Sequence, residues 1–265
     1  VVTVHDIAFL RVPTTTTRRG VAFHARGLEV ARRRADAIIV PSEFTRRELA
    51  VEGFDPAPIT VVPLGIDPPE DRDPSAIDAA LAAVGVREPF VLTVGTIEPR
   101  KDLPTIVAAV DRARRTDPDL TLVVVGPRGW GEVTGIDRPF VRTLGAQPWS
   151  VVDALYRRAT AFCLASRYEG FGLPALEAMA RGTATVATTG SATEEFVQGA
   201  GVLFAPGDTD ACAEALLRLA TDADERARIG SAGRERAEAM TWGRSARAHL
   251  PVYARVATTG ARTRS

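Results

Sequence analysis

Short aliphatic and β-branched runs recur along the chain. Between them, apolar positions return at the three-to-four spacing of a helix. The strand-like runs are VVTV (1–4), AIIV (37–40), ITVV (59–62), FVLTV (90–94), LTLVVV (120–125), AFCLA (161–165), TATVAT (183–188) and GVLF (201–204). Helices are predicted at roughly 24–35, 43–51, 75–84, 102–115, 150–158, 174–181 and 209–220. Strand–helix alternation predicts parallel sheets with helices on both faces. The strands are apolar nearly throughout, as doubly covered strands are.

One stretch breaks the rhythm. PLGIDPPEDRDPS (63–75) is rich in Pro and Asp and carries no periodicity, so it reads as a connection between two α/β units. This predicts a partial first unit, 1–67, with three strands, and a linker at 68–75. A full doubly wound unit with five strands follows over 76–240. A closing helix is expected at 241–256 and a frayed tail at 257–265. The chain opens on VVTVHDIAFL, inside a strand-like run and without Met, which leads us to expect a piece of a longer protein.

Composition narrows the function classes. The 265 residues are 45% hydrophobic and 25% charged, with a formal net charge of zero. No basic surplus favours nucleic acid. No apolar stretch is long enough to span a bilayer, and no signal peptide is expected. Cys163 and Cys212 have no metal or redox spacing, and Cys163 sits in an apolar run. A reduced, buried pair in a cytoplasmic protein is expected.

Charge chemistry changes the picture most at one position. Of 33 cationic residues, Lys101 is the single lysine, in VGTIEPRKDL (94–103). It follows the FVLTV run and is placed at the start of the next helix. A lysine there opposes the helix dipole. An anion bound at the same point would offset that cost. In open α/β sheets, ligands sit beyond the carboxyl ends of strands. EGFGLPALEAMARG (169–182) also follows such an end. Pro174 suits a helix start and Gly182 its exit. Gly170 and Gly172 would let backbone approach a ligand, with Glu169 and Glu177 on either side. His5 follows the first strand and is placed at the cleft.

Other signals are weaker. Gly126, Gly129 and Gly131 lack the dinucleotide-binding order. Asp71/Asp73 and Asp208/Asp210 are D-x-D pairs, but the first lies in the linker and Asp208 reads as an N-cap. No metal site and no cofactor are expected.

Taken together, VGTIEPRKDL, EGFGLPALEAMARGT, VPSEFTRREL, VVPLGID and VHD resemble retaining family-four glycosyltransferases of the GT-B fold, in the mannosyltransferase-like branch. The likeness runs from Val1 to about Val256 and lacks the family's N-terminal part. It implies two Rossmann-like domains, the first truncated, the closing helix crossing back onto it. It implies transfer of a hexose from a nucleotide diphosphate sugar, GDP-mannose for instance, to a hydroxyl on a glycan or lipid, with retention of configuration. Peripheral membrane association fits such an acceptor. By that resemblance Lys101 contacts the donor diphosphate and Glu169 holds the donor sugar. Gly170, Phe171, Gly172 and Leu173 offer amides, and Glu177 binds the ribose. Leu144, Gly145 and Gln147 cradle the base, and His5 sits near the transferred sugar. Thr96 stands where many relatives carry a second cation, and Arg100 is the nearest substitute. A GT-B epimerase or phosphorylase, or a binding-only fragment, are the alternatives.

Overall fold

The computed structural model describes residues 1–55 and 58–262. The chain builds two parallel sheets. The first unit runs β1 (Val2–Thr3), α1 (Ala8–Arg11), α2 (Arg18–Arg34), β2 (Ile38–Val40), α3 (Glu43–Val51) and β3 (Ile59–Val61). Its strands lie in the order β1-β2-β3, all parallel, with Val2 opposite Ile38 and Ile38 opposite Ile59. Alternation along β2 divides its two faces. Ile38 and Val40 join Ile7, Leu49 and Phe54 in one cluster, while Ile39 packs with Ala37, Val62 and Val252 in another.

The second unit comprises α4 (Pro74–Ala83), β4 (Phe90–Val94), α5 (Leu103–Ala113), β5 (Thr121–Val125), β6 (Val141–Gly145), α6 (Trp149–Arg158), β7 (Ala161–Leu164), α7 (Leu173–Ala180), β8 (Thr185–Thr188), α8 (Glu194–Val197), β9 (Val202–Phe204), α9 (Thr209–Thr221) and α10 (Ala223–Glu238). The long α11 (Trp242–Arg262) closes the described chain. The sheet order is β6-β5-β4-β7-β8-β9, parallel throughout. Two clusters cover its faces, one around Phe90, Leu92 and Phe162, the other around Val91, Leu122 and Val186. With every strand parallel, the segments after Val94, Val125, Gly145 and Leu164 leave along one edge. The strand order reverses between β4 and β7, so the loops after these two strands diverge and leave a crevice.

Four expectations need correction. This sheet has six strands, not five, the additional one being β6. It is an edge strand with Arg142 and Thr143 exposed, so its pattern lacks the apolar run of a buried strand. The last helix extends to Arg262, so the tail expected at 257–265 is helical as far as the chain is described; residues 263–265 lie outside the described residues. Pro74 and Ser75 belong to α4, which Asp73 caps by accepting from the Ser75 amide. Lys101 is not in the first turn of α5. It ends a 3-10 turn, Pro99–Lys101, and Asp102 (φ 47°) then takes the left-handed conformation before α5 begins.

The chain crosses between the units twice, side by side. Ile66 donates to the Met240 carbonyl and pairs with Thr241. A Cβ on Gly65 would lie 2.2 Å from the Thr241 carbonyl carbon, so only glycine allows this approach. Cys163 and Cys212 are both buried and free, with Sγ atoms 3.8 Å apart. β7 and α9 thus bring together two thiols that lie far apart in sequence.

Candidate active site

Lys101 and Glu169 meet at the carboxyl end of the second sheet, from the segments after β4 and β7. Lys101 Nζ donates to Glu169 Oε1 at 2.6 Å. Arg100 donates to Glu169 Oε2 at 3.2 Å, to Glu98 Oε1 at 2.6 Å and to the Tyr168 carbonyl at 2.8 Å. Two carboxylates and two cations thus form one half-buried to buried network. Burial works to raise the Glu169 pKa, but Lys101 and Arg100 outweigh it and hold the carboxyl below its ordinary value. Glu98 is buried as well, and its second carboxylate oxygen has no partner. Arg100 is therefore not a solvated surface residue; its guanidinium is committed to two glutamates.

Residues 168–170 reach into the first unit. Tyr168 joins that unit's core and its ring lies 5.3 Å from Phe44. The Gly170 carbonyl accepts from Ser42 Oγ (2.9 Å) and Thr45 Oγ1 (3.3 Å) at the start of α3. A Cβ on Gly170 would fall 2.2 Å from the His5 carbonyl oxygen. The glycine is needed for this contact between units. Gly172 has a different reason: φ is 97° as the N-cap of α7, and its missing Cβ leaves room for Thr193. Phe171 is buried against Phe196. Glu195 adds a further tie, its carboxylate accepting from the backbone amides of Glu43 (3.2 Å) and Phe44 (2.5 Å).

His5 is exposed and lines a cavity of about 530 Å³ that Arg100 also lines. His5, Arg100, Lys101, Glu169 and Gly170 are thus one neighbourhood. Glu177 stands apart. It lines a second cavity of about 220 Å³ with Leu173, Trp149, Arg181 and Trp242. Its Oε2 accepts from the Tyr156 hydroxyl at 2.9 Å. Burial raises its pKa, although Tyr156 and Arg181 act against that. Arg181 donates to Asp153 at 2.7 Å and lies over the Trp149 and Tyr156 rings. Leu144, Gly145 and Gln147 form the exit of β6, where Gly145 has φ 67° and Gln147 Nε2 donates to the Leu144 carbonyl at 2.7 Å. Thr96 packs beneath Gly129, whose Cβ would meet its methyl at 2.5 Å.

Sequence reasoning missed Tyr156, Arg181 and Glu98. Tyr156 and Glu177 lie on different helices, and nothing in the pattern joins them. Glu98 did carry a signal, an acid two positions before Arg100 in a loop leaving a strand.

Residues 82–236 match the family described as Glycosyl transferases group 1, which takes in more than half of the chain. The chain belongs to that family. Residues 1–70 match Glycosyltransferase Family 4. Among relatives of this group 1 member, a D-inositol 3-phosphate glycosyltransferase of Kribbella flavida is 33% identical, covering 83% of this chain and 56% of its own. An O-antigen chain mannosyltransferase B of Escherichia coli is 28% identical, with 91% and 66% covered. The chain therefore spans between half and two thirds of the length of these relatives. Anabaena HepE, crystallised with UDP-glucose, superposes with a TM-score of 0.80 at 21% identity, covering 97% of this chain and 72% of that one. The architecture is GT-B, as the sequence led us to expect.

Proposed function

We propose that the chain carries the donor side of a retaining glycosyltransferase. It would move a hexose, mannose in our reading, from a nucleotide diphosphate sugar to a hydroxyl acceptor. The observation that carries this is the Lys101–Glu169 contact, set at a sheet's carboxyl end and beside His5 of the other unit. A diphosphate entering there competes for Lys101. The ammonium turns from Glu169 to the leaving phosphate, and Glu169 is freed to accept from sugar hydroxyls. Arg100 would stay with Glu98. Glu177, on the next turn of α7, would take the ribose diol, with Leu144, Gly145 and Gln147 along the base and His5 near the transferred sugar. The amides of Gly170, Phe171, Gly172 and Leu173 would face the phosphates or the sugar.

The transition state gains positive charge at the anomeric carbon and negative charge on the diphosphate. Opposite charges placed in advance on each side lower that barrier. Support for the mannosyl reading comes from relatives named as mannosyltransferases, the Escherichia coli protein and an MMP alpha-(1->4)-mannosyltransferase of Mycolicibacterium hassiacum. Nucleotide-sugar binding accords with the Anabaena complex. The test is incubation with GDP-mannose, and separately UDP-glucose, in the presence of hydroxyl acceptors, following nucleoside diphosphate release and the anomeric signal of the product. Release with an α-linked product supports the reading. Inversion, or phosphorolysis by orthophosphate, contradicts it.

A further inference from the structure

Where α6 meets α7, two rows of side chains face each other. Trp149, Asp153 and Tyr156 recur at helical spacing on α6, and Leu173, Glu177 and Arg181 follow at every fourth position along α7 and its C-cap. The Arg181 guanidinium lies 4.8 Å from the Trp149 ring centroid and 5.6 Å from that of Tyr156. It donates to Asp153 Oδ1 at 2.7 Å and to the Glu177 carbonyl at 3.0 Å. Asp153 also accepts from Arg157 at 2.8 Å and pairs with Arg72, in the segment between the units, at 3.1 Å. Tyr156 sits in the middle of this packing. It is fully buried, its ring is 5.7 Å from Phe162 of β7, and its carbonyl accepts from Thr183 Oγ1 at 2.6 Å. Strand, helix and guanidinium together hold the phenol in one place.

A buried hydroxyl needs a partner, and this one donates to Glu177 Oε2 at 2.9 Å. Burial and the Glu177 charge push the phenol well above its ordinary pKa, so it remains a donor. The other carboxylate oxygen is placed differently. Among the described residues nothing donates to Oε1, and it is not one of the buried oxygens left without a partner. Glu177 lines the cavity of about 220 Å³, so Oε1 is the oxygen open to a hydroxyl that enters there. A glutamate free to sample rotamers would lose that freedom when it bound a ligand; here the loss is already taken on folding. Resting on the reading of Glu177 as the ribose acceptor, we infer that Tyr156 is a positioning residue. Its hydroxyl holds Oε2, presents Oε1 to the cavity, and so gives the nucleotide site its preference for an intact ribose diol. The same hydroxyl would orient a glutamine at this position. Tyr156 would donate to the amide oxygen and turn the NH₂ group, a donor, to where the ribose needs an acceptor.

The test is calorimetry on the 265-residue chain with GDP and UDP, each beside its 2′,3′-dideoxy counterpart, for wild type, Tyr156→Phe, Glu177→Gln and the double variant. Wild type should prefer the diol by roughly 10- to 100-fold, the range of a charge-assisted hydrogen bond. Tyr156→Phe should lower that preference by about threefold or more. Affinity for the dideoxy form should stay within about twofold, because the ring and its packing remain. Glu177→Gln should abolish the preference, and the double variant should regain part of it, since the amide is then free to turn its oxygen to the cavity. A Tyr156→Phe variant that keeps the full preference overturns the inference and leaves the ribose reading of Glu177 standing. Loss of diol and dideoxy binding alike in Tyr156→Phe means that the tyrosine is merely structural, and a double variant no better than Glu177→Gln means that it orients nothing; either result overturns the inference. A wild type without a diol preference overturns the ribose reading of Glu177 and this inference with it.

Discussion

Lys101 Nζ lies 2.6 Å from Glu169 Oε1, joining two loops that leave neighbouring strands β4 and β7. The contact sets the chain's single lysine against a buried carboxylate. A flexible ammonium can exchange one anion for another; a guanidinium fork locked on a carboxylate does so less readily. Arg100, next to it, shows the contrast, with one fork spread over Glu98, Glu169 and the Tyr168 carbonyl.

Removing that ammonium should change both binding and ionisation. Lys101→Ala is expected to cut donor binding or turnover roughly 10- to 100-fold, the loss of a charge-assisted hydrogen bond. Lys101→Arg should restore part of it. With Lys101 gone, burial acts on Glu169 with less to oppose it, so its pKa rises. The acid limb of the activity–pH profile should move to higher pH, and a profile unmoved by Lys101→Ala would refute the coupling.

The same shift has a consequence for stability. Glu169 has a folded-state pKa below its ordinary value, so its contribution is present above the unfolded carboxylate pKa of about 4.3 and is lost as pH falls through the folded value. Melting curves from pH 7 down to 3 should show a smaller acid loss in Glu169→Gln than in the wild type.

Glu169 and Glu177 should separate kinetically. Glu169→Gln is expected to lower kcat with little change in nucleotide affinity, and Glu177→Gln to weaken nucleotide affinity. Glu177 has the opposite ionisation, raised by burial, so ionising it costs folding energy as pH rises through that raised value. Glu177→Gln should therefore hold or raise Tm near neutral pH while binding suffers. A variant weakened in both Tm and kcat, with nucleotide affinity intact, would contradict this assignment.

Gly170 should tolerate no side chain. In Gly170→Ala the new Cβ meets the His5 carbonyl at 2.2 Å, and neither backbone can yield alone. Overpacking of this kind costs about 1–3 kcal/mol, a Tm loss of roughly 2–4 °C for each kcal/mol in a chain of this size. Because His5 is displaced, transfer should fall further than nucleotide binding. Differential scanning calorimetry and the two assays check both halves.

Much of the fold was legible because its strands are covered on both faces and therefore read as unbroken apolar runs, FVLTV and LTLVVV above all. β6 escaped because an edge strand with Arg142 and Thr143 exposed has no such run. The site was legible as two loops but not as one network. Lys101 and Glu169 are 68 positions apart, and only the pairing of β4 with β7 brings their loops together. Glycines were visible as a need for close approach, while the identity of the approaching group was not. At Gly170 it is the His5 carbonyl, and at Gly65 the returning chain at Thr241.

The most direct test of the account is a calorimetric titration of wild type and Lys101→Ala with GDP and UDP, each beside its monophosphate. The account predicts that wild type prefers the diphosphate of one base. It predicts that Lys101→Ala loses most of that preference, about 1.5–3 kcal/mol, while monophosphate affinity changes little. An unchanged diphosphate preference in Lys101→Ala would contradict the claim that this lysine leaves Glu169 to hold the leaving group.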